Sequence, residues 1–570
     1  MENTIAHPTR SFVPESVNVG DWTQLEPLFL QLLEREIDSV PELEQWLLDS
    51  SELAALISEE RSRRYIQMTC HTDDADCEQR YLEFVERVEP RWKSFGHKLR
   101  VKYFETPSRE QLPKSRYEVL NRNTEADIRL FREENIPLQT EETKLSQTYQ
   151  KLCGAMTVEF DGQEQTLPQM AKVLEETDRS RRQAAWEKTV ERRLQDREQL
   201  DQIFSDLIRK RNSIARNAGF EDFKKYAFLM YKRFDYTVKD CQAFHAAVER
   251  EVVPLARRLA EKRRKQLGLE TLRPWDVSVD PLGRPPLRPF ETVEQLCSGC
   301  EAIFRGIEPI LADRFVTMKE QGELDLDSRK GKAPGGYLSS LDAVRRPFIF
   351  MNAAGLQRDV ETLLHECGHA FHLLECRDEP LLEYREAPLE FAEVASMAME
   401  LFGSDSLTTF YDADDAARAK RKLLEGIIEV LPWIARIDAF QLWIYKNPKH
   451  VKEERTRYWL ELDERYGIEL DWSGYEAARE TSWQKQLHLY CCPFYYIEYG
   501  IAQLGALQLW RRFKTNPGAA IRDYRAALAL GGAKPLPYLF ETAGAQFDFS
   551  EETIKPLIKE IERELATLPE

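Results

Sequence analysis

The pentapeptide HECGH, residues 365–369, constrains this 570-residue chain more than any other stretch. Its two histidines can act on one ion only in a helix, where positions four apart lie one turn apart on one face. In such a helix Glu366 is rotated by about 100° around the axis from His365, so its side chain can point toward the ion from beside the two histidines. With nine histidines in the chain, such a pentapeptide arises by chance in on the order of one chain in a hundred. The neighbouring segments therefore decide its meaning.

The flanking sequence RDVETLLHECGHAFHLLE predicts one continuous helix, with Asp359 near its start, where a carboxylate suits the helix dipole. Gly368 costs roughly 1 kcal/mol of helix propensity relative to alanine, which indicates that another element packs closely there. His372 lies almost on the same face but roughly 10 Å along the axis from His365. No glycine between His369 and His372 turns the chain. We therefore predict that His372 packs or orients and is not a ligand.

Two histidines are one ligand short of the usual three protein ligands of catalytic zinc. The segment LLEYREAPLEFAEVASMAMELF supplies several carboxylates, namely Glu383, Glu386, Glu390, Glu393 and Glu400. We expect Pro388 to be the first residue of a helix, which places Glu386 before the helix and Glu390 in its first turn. There a carboxylate satisfies backbone donors.

Glu393 is the best candidate for the third ligand, because its alanine and valine neighbours indicate burial and an unpaired buried carboxylate is costly. A surface or salt-bridged glutamate is the alternative. Glu400 lies seven residues further on the same face and could orient a ligand histidine.

Helical patterns dominate the rest of the chain, and Pro254 predicts a kink or interruption in one of them. Two stretches are not helical: the proline-rich residues 271–290, and residues 322–355, which indicate a glycine-rich loop followed by short strands. A small sheet therefore directly precedes the HECGH helix. Its apolar run Pro347–Met351 either offers a free edge to an extended peptide or is an ordinary buried strand.

Composition excludes several classes of function. The net charge of −18 argues against nucleic acid or an anionic membrane as a partner. No uncharged apolar run is long enough to span a membrane, and no secretory signal is visible. The ten cysteines lack the spacing of a disulfide framework, and the stretch CSGC at 297–300 has no second pair, so we predict structural cysteines and a reducing cytoplasm.

HECGHAFH, followed 24 residues after His369 by Glu393 in FAEVASMAME, resembles the zinc-binding core of the thimet oligopeptidase and oligoendopeptidase F family. The resemblance also includes residues 231–276 and the loop GKAPGGY, and it covers roughly residues 200–510. It implies that His365, His369 and Glu393 bind one Zn²⁺ per chain and that Glu366 is the general base. The chain length and the local sequence are closer to those of the oligoendopeptidase branch of this family than to those of the longer thimet enzymes.

The stretch HLYCCPFYYIEYGIAQ carries His488 and four tyrosines. It resembles the histidine and tyrosines that contact substrate and the tetrahedral intermediate in that family. Neutral donors of this kind suit a developing oxyanion. We select His488, Tyr496 and Tyr499 as the candidate oxyanion donors. For at least two of the four tyrosines, the alternative is that they form an aromatic helix face in the core. The four are Tyr490, Tyr495, Tyr496 and Tyr499.

By this resemblance the fold is mainly α and two-lobed, with a zincin-type core, a small sheet beside the HECGH helix and a deep channel. Residues 1–200 are expected to form a helical part of the channel wall, and residues 201–570 the catalytic region. The expected activity is zinc-dependent endopeptidase cleavage of short unstructured peptides. Two alternatives remain: an exopeptidase on the same scaffold, and a non-catalytic peptide-binding protein with a structural metal.

Overall fold

The computed structural model describes residues 10–329, 331–333 and 335–570, and it is mainly helical, as the sequence predicts. Six helices precede the first strand: α1 (Trp22–Glu34), α2 (Val40–Cys70), α3 (Ala75–Arg87), α4 (Glu89–Glu105), α5 (Lys114–Leu130) and α6 (Asn135–Gly154). The first five of these helices bury their own apolar core around Phe29 and Trp46.

A small antiparallel hairpin, which the sequence analysis missed, follows α6: β1 (Thr157–Phe160) and β2 (Gln163–Thr166). Its turn residues Asp161 and Gly162 both have positive φ, at 53° and 73°. Asp-Gly is a preferred pair for such two-residue turns, so the signal was present in the sequence.

Eight helices lead from the hairpin to the second sheet: α7 (Leu167–Val173), α8 (Arg179–Gln195), α9 (Arg197–Asn217), α10 (Phe223–Met230), α11 (Val238–Ala247), α12 (Val253–Gln266), α13 (Val293–Ile307) and α14 (Pro309–Glu320). The predicted interruption near Pro254 is confirmed, because a π-helical segment, Val248–Val252, separates α11 from α12.

The second sheet has the strand order β3 (Leu324–Asp327), β5 (Arg346–Ala353), β4 (Tyr337–Leu341). β5 pairs in parallel with β3 and antiparallel with β4. Of the two alternatives for Pro347–Met351, the free edge is therefore wrong and the buried strand is confirmed, since this run lies in the central strand. Its near-continuous apolar sequence fits burial on both faces. The edge strands are β3 and β4, and in the described part of the chain no strand pairs with the outer edge of β4.

Eleven helices follow the sheet: α15 (Gln357–Cys376), α16 (Leu382–Arg385), α17 (Leu389–Gly403), α18 (Ala413–Lys446), α19 (Lys452–Tyr466), α20 (Glu476–Glu480), α21 (Leu487–Cys491), α22 (Ile497–Thr515), α23 (Pro517–Leu528), α24 (Leu536–Ala543) and α25 (Glu551–Thr567). α17 packs between α15 and α22 in the main core. This sandwich brings the HECGH helix, the glutamate-bearing helix and the tyrosine-rich helix together.

The two lobes have separate hydrophobic cores. The larger core extends over residues 130–565, and the smaller one belongs to the N-terminal helices. Leu381 and Tyr384, at α16, pack into the smaller core and so connect the two lobes. Within the described residues, no helix is both long and apolar enough to cross a membrane.

Candidate metal centre and its surroundings

The candidate site begins on α15, where the His365 and His369 rings lie with centroids 5.0 Å apart. Asp359 fixes the start of this helix, because its Oδ2 accepts hydrogen bonds from the backbone N–H groups of Ala354 and Leu356 at 2.7 and 2.9 Å. The four-residue spacing therefore places both imidazoles one turn apart on one face of a firmly capped helix.

Gly368 allows α17 to lie directly against α15. A Cβ at position 368 would stand 2.5 Å from Ser396 Cα and 2.7 Å from the Ala395 carbonyl oxygen, both backbone atoms. Atoms cannot approach so closely without the helices moving apart, so glycine sets the distance between them. The close packing that the sequence predicted at this glycine is confirmed.

This approach brings Glu393 to the two histidines. Glu393 Oε2 lies 3.4 Å from His365 Nε2 and 3.6 Å from His369 Nε2, and one ligand atom from each residue lies within 4.8 Å of the other two. Ligands about 2.1 Å from a tetrahedral ion stand roughly 3.4 Å apart. The three side chains thus fit one small divalent ion, and two imidazoles with a carboxylate are a donor set typical of zinc.

Neighbouring side chains orient two of these three residues, His365 and Glu393. His365 Nδ1 lies 2.6 Å from Glu400 Oε1, which leaves His365 Nε2 turned toward Glu393. The Tyr495 hydroxyl donates to Glu393 Oε1 at 2.7 Å, and Ser396 Oγ lies 3.2 Å from Glu393 Oε2. Glu400, which was expected to orient a ligand histidine, contacts the candidate ligand His365. Metal-binding histidines commonly have such a carboxylate partner.

The local electrostatics keep Glu393 and His369 in the protonation states that bind a metal ion. Burial alone would raise the pKa of Glu393, but His369 and His365 hold it at about 2, so the carboxylate is ionised. Burial lowers the pKa of His369 to about 4, which keeps that imidazole neutral. Burial also opposes charge on His365, but the carboxylates of Glu393 and Glu400 outweigh it and raise that pKa. A proton on His365 and a bound cation therefore compete for the same place.

Glu366 lies beside this centre and is 7% exposed. Burial raises its pKa to about 7, the positive charge of a protonated His365 lowers it, and the backbone of Leu338 in β4 adds a hydrogen bond that also lowers it. The edge strand of the sheet therefore runs directly past the Glu366 carboxylate. A carboxylate with a pKa near neutrality can both accept and return a proton.

A second group of side chains approaches from residues 486–499, called here the donor segment. Gln486 Oε1 accepts from the Trp433 indole N–H at 2.9 Å, and this contact turns the Gln486 amide nitrogen toward His488 Nδ1, 2.7 Å away. Because the amide nitrogen donates, His488 Nδ1 is the acceptor and its Nε2 carries the hydrogen. His488 Nε2 lies 3.3 Å from the Tyr499 hydroxyl. Burial lowers the pKa of His488 to about 4, so the ring is a neutral donor.

Two further tyrosines complete the donor segment. The Tyr496 ring lies 4.9 Å from the His488 ring and 5.3 Å from the Tyr499 ring, between centroids. Burial raises the pKa of Tyr496 to about 12 and that of Tyr499 further, so both phenols stay protonated. Tyr495, which the sequence analysis noted but did not select, makes the direct contact with Glu393. Its four-residue spacing from Tyr499 was a weak signal for a shared face.

The donor segment is held by a left-handed residue, Phe494, with φ of 69°. Its N–H donates to Gln441 Oε1 at 2.6 Å, and its carbonyl accepts from Arg233 Nη2 at 2.5 Å. Arg233 Nη2 also donates to Glu498 Oε1 at 2.7 Å. A bulky residue adopts this conformation only when its surroundings impose it, so these buried contacts determine where Tyr495 points.

Several charged side chains are exposed to solvent and yet strongly affected by surrounding protein, namely Glu386, Glu429 and Lys485. Burial raises the pKa of Glu386 to about 7, raises that of Glu429, and lowers that of Lys485 to about 8. The surrounding protein therefore affects the charge of each of these three side chains although water reaches them.

The other glutamates of the 381–402 segment have different positions. Helix α17 begins at Leu389, so Pro388 precedes the helix by one residue and is not its first residue as expected. Glu390 is in the first turn, as expected, and its carboxyl group interacts with its own backbone N–H. It is buried, and its Oε1 accepts from the Tyr236 hydroxyl at 2.6 Å and lies 3.8 Å from Arg233.

His372 lies outside the group of candidate ligands and is buried against Phe391, with ring centroids 6.0 Å apart. Burial lowers its pKa to about 3. All ten cysteines are free thiols, and Cys297 and Cys300 are buried in α13, as expected for structural residues.

Two protein-family models match the chain. The model of peptidase family M3 matches residues 172–557, and the model of the peptidase M3 N-terminal domain matches residues 12–131. Among curated proteins, an oligoendopeptidase F homolog from Borreliella burgdorferi is 25% identical over 349 residues, covering 57% of each chain. Oligopeptidase PepF from Bacillus subtilis is 24% identical over 329 residues, covering 56% of this chain and 47% of its own. These matches span only about half of the curated relatives.

Solved structures match over nearly the whole chain. PZ peptidase A with inhibitor 2 has a TM-score of 0.93 at 29% identity, covering 98% of this chain and 99% of its own. A protein assigned as oligoendopeptidase F from Bacillus anthracis has a TM-score of 0.89 at 27% identity, with the same coverage. The similarity therefore includes both lobes as well as the helices that carry the candidate site.

Proposed function

This chain belongs to peptidase family M3, and from that membership and the site geometry we propose that it is a zinc-dependent endopeptidase that hydrolyses short, unstructured peptides. The observation that carries the proposal is the convergence of His365, His369 and Glu393 within 4.8 Å, with Glu366 beside them. A site that only held a structural metal would have no use for the adjacent base and would normally have four protein ligands.

His365, His369 and Glu393 would hold the ion. When bound there, zinc would polarise the scissile carbonyl and acidify water at the site. The donor atoms of the three residues are already spaced for a tetrahedral ion, and Glu400 and Tyr495 restrain two of them. The site therefore needs little rearrangement to bind metal.

Glu366 would act as the general base. Its carboxylate accepts a proton from the attacking water and then gives that proton to the amine that leaves. Burial and the two flanking carboxylates raise its pKa, while the positive charge of a bound ion would lower it again. The ionised form therefore predominates in the loaded enzyme near neutral pH.

His488, Tyr499 and Tyr496 would stabilise the oxyanion that forms at the carbonyl carbon. His488 is neutral, and its Nε2–H is directed toward Tyr499. Donors that are fixed before the reaction stabilise developing charge at little reorganisation cost. The contacts of Gln486 and Trp433 support this role, because they set the His488 tautomer.

The outer edge of β4 would receive the peptide as an additional strand. Leu338 of this strand contacts Glu366, so a peptide paired there would pass the candidate metal centre. Only an extended chain can pair in this way, which supports unstructured peptides as substrates. An exopeptidase on the same scaffold is the alternative, and a peptide blocked at both ends that is still cleaved would exclude it.

The direct test is Glu366→Gln, with zinc content and peptide cleavage measured on the same preparation. We expect zinc to stay near one per chain while kcat falls by at least about a thousandfold. Glu361→Gln makes the same chemical change one turn before His365 and should keep most of the activity. Turnover that persists in Glu366→Gln would exclude the mechanism.

A further inference from the structure

The N-terminal lobe holds the turn between β4 and β5 through one buried carboxylate. Glu59 lies on α2 and is 7% exposed. Its Oε2 accepts hydrogen bonds from the backbone N–H groups of Ala343 and Val344, both at 2.9 Å. Its Oε1 accepts from Arg63 Nε at 2.8 Å, one turn further along α2. Hydrogen bonds to an ionised group are stronger than those between neutral groups, so Glu59 fixes this turn to α2.

A second contact holds the other end of β4. The hydroxyl of Tyr337, the first residue of the strand, lies 2.6 Å from Thr69 Oγ1 near the end of α2. Between these two ends, a separate small core joins the sheet to α2, and it includes Leu341, Ile66 and Phe350. α2 therefore contacts β4 at both ends and along one face, and the position of this helix determines where the strand lies.

The other face of β4 is directed toward the catalytic lobe. Leu338 follows Tyr337, so its side chain points to the opposite face, where it packs against the main core. β4 also lies against α15. A Cβ at Gly336, directly before the strand, would stand 3.4 Å from Cγ2 of Thr362, which lies one turn before Glu366. The backbone of Leu338 itself hydrogen-bonds to Glu366. β4 therefore connects α2 of the N-terminal lobe with the helix that carries the candidate base.

We propose that Glu59 is a positioning residue for peptide hydrolysis, which holds β4 where a peptide paired with its outer edge passes Glu366. This inference rests on the proposed function. Glu59 binds the turn and not the peptide, so it acts through the hydrogen bonds between the strand and the substrate. These bonds weaken steeply outside a narrow range of distance and angle, and a displacement of about 1 Å is enough to impair alignment. The N-terminal lobe thereby contributes to aligning the substrate.

The test uses zinc-loaded full-length protein and a set of otherwise identical peptides. One peptide is unmodified, and each of the others carries one N-methyl group on a different backbone nitrogen near, but not in, the scissile bond. N-methylation removes a hydrogen-bond donor, so the wild type should lose about tenfold in kcat/KM at a position that pairs with β4.

Glu59→Leu should raise KM for the unmodified peptide by about tenfold, with a smaller change in kcat and with zinc content unchanged. It should also reduce the loss caused by the N-methyl group to about twofold, because the displaced strand no longer makes a good hydrogen bond there. Glu59→Gln keeps an acceptor oxygen for the turn and should restore most of the wild-type behaviour.

Glu52→Leu is the matched control. Glu52 lies on the same helix, and its Oε1 also accepts from backbone N–H groups, those of Phe12 and Val13 at 3.1 and 2.7 Å, which belong to the N-terminal segment and not to the turn after β4. It should lose comparable stability and keep the wild-type sensitivity to N-methylation. Tyr337→Phe removes the contact at the other end of β4 and is a milder second variant. It should reduce the N-methyl effect by about two- to threefold.

Equal cleavage of all the peptides by the wild type would overturn the proposal, since the substrate then does not pair with β4. An unchanged N-methyl effect in Glu59→Leu and Tyr337→Phe would also overturn it, even with lower overall activity, because that indicates only a structural role. If Glu59→Leu folds poorly, the wild type and Tyr337→Phe decide. A wild type that cleaves no peptide would contradict the proposed peptidase function itself.

Discussion

The two halves of the candidate site are built in different ways. The metal half, α15 and α17 with His365, His369 and Glu393, depends on helical spacing and on one close contact at Gly368. The donor segment, residues 486–499, depends on Phe494 in a left-handed conformation and on buried side chains from distant parts of the chain. Local periodicity therefore places the candidate ligands, whereas long-range contacts place the candidate donors.

The largest expected effect comes from breaking the metal half. His369→Gln removes a candidate ligand and should lower zinc content and reduce activity by at least about a thousandfold. His372→Gln is the matched control, because this histidine lies on the same helix, three residues away, and outside the group of ligand atoms. We expect it to retain zinc and most activity. Zinc analysis after dialysis and peptide assays test both, and loss of zinc in His372→Gln would contradict the ligand assignment.

Tyr499 and Tyr495 of the donor segment contact different residues, so replacing each in turn separates the effects of the two contacts. Tyr499→Phe removes a hydroxyl that lies 3.3 Å from His488 and should lower kcat by roughly a hundredfold with zinc content unchanged. Tyr495→Phe removes the hydrogen bond to Glu393 and should weaken zinc affinity by about tenfold. Competition with a chelator and steady-state kinetics separate these effects. The same effect of both variants on zinc affinity would show that the two halves are not distinct.

Gly368→Ala tests the close approach of α15 and α17. The new Cβ meets backbone atoms of Ser396 and Ala395, so the helices must separate, which should cost about 1–3 kcal/mol of stability and weaken zinc binding. Gly426→Ala, within α18, has no atom within 4 Å of its new Cβ and should be neutral or stabilising by up to about 1 kcal/mol. Thermal unfolding with and without zinc measures both. Equal stability changes would contradict the packing argument.

The smallest effect concerns the Phe494 turn. Gln441→Leu leaves the Phe494 N–H without its acceptor, and we expect kcat to fall several-fold, up to about tenfold, with zinc retained. Gln508→Leu is the matched control, since this buried glutamine also bonds backbone groups, at Gln546 and Leu504, but lies away from the donor segment. It should lose similar stability without a change in kcat. If kcat falls in both variants in proportion to their loss of stability, Gln441 does not position the donor segment.

The close placement of the three candidate ligands could be predicted from the sequence because helical geometry relates spacing to position. The spacing of His365 and His369 and the burial of Glu393 among small apolar residues were sufficient for the ligand hypothesis. The role of Glu400 beside His365 followed from the same seven-residue repeat. These inferences required only two helices and the assumption that they touch.

The rest depended on tertiary contacts that no local pattern encodes. Tyr495 could not be ranked above Tyr490, Tyr496 or Tyr499, because its position depends on the Phe494 turn and on Arg233. For the Pro347–Met351 run, the sequence analysis left a free edge and a buried strand open, although the sequence contained a physical reason to prefer the buried strand. A continuous apolar run is typical of a central strand, whereas the more polar YLSSL of β4 suits an edge.

X-ray absorption at the zinc edge, on the protein loaded with one equivalent of metal, identifies the atoms bound to the ion. We expect only nitrogen and oxygen neighbours, with two imidazoles from His365 and His369 and a carboxylate oxygen from Glu393, at about 2.0–2.2 Å. A sulfur neighbour near about 2.3 Å, or a third imidazole, would contradict this expectation.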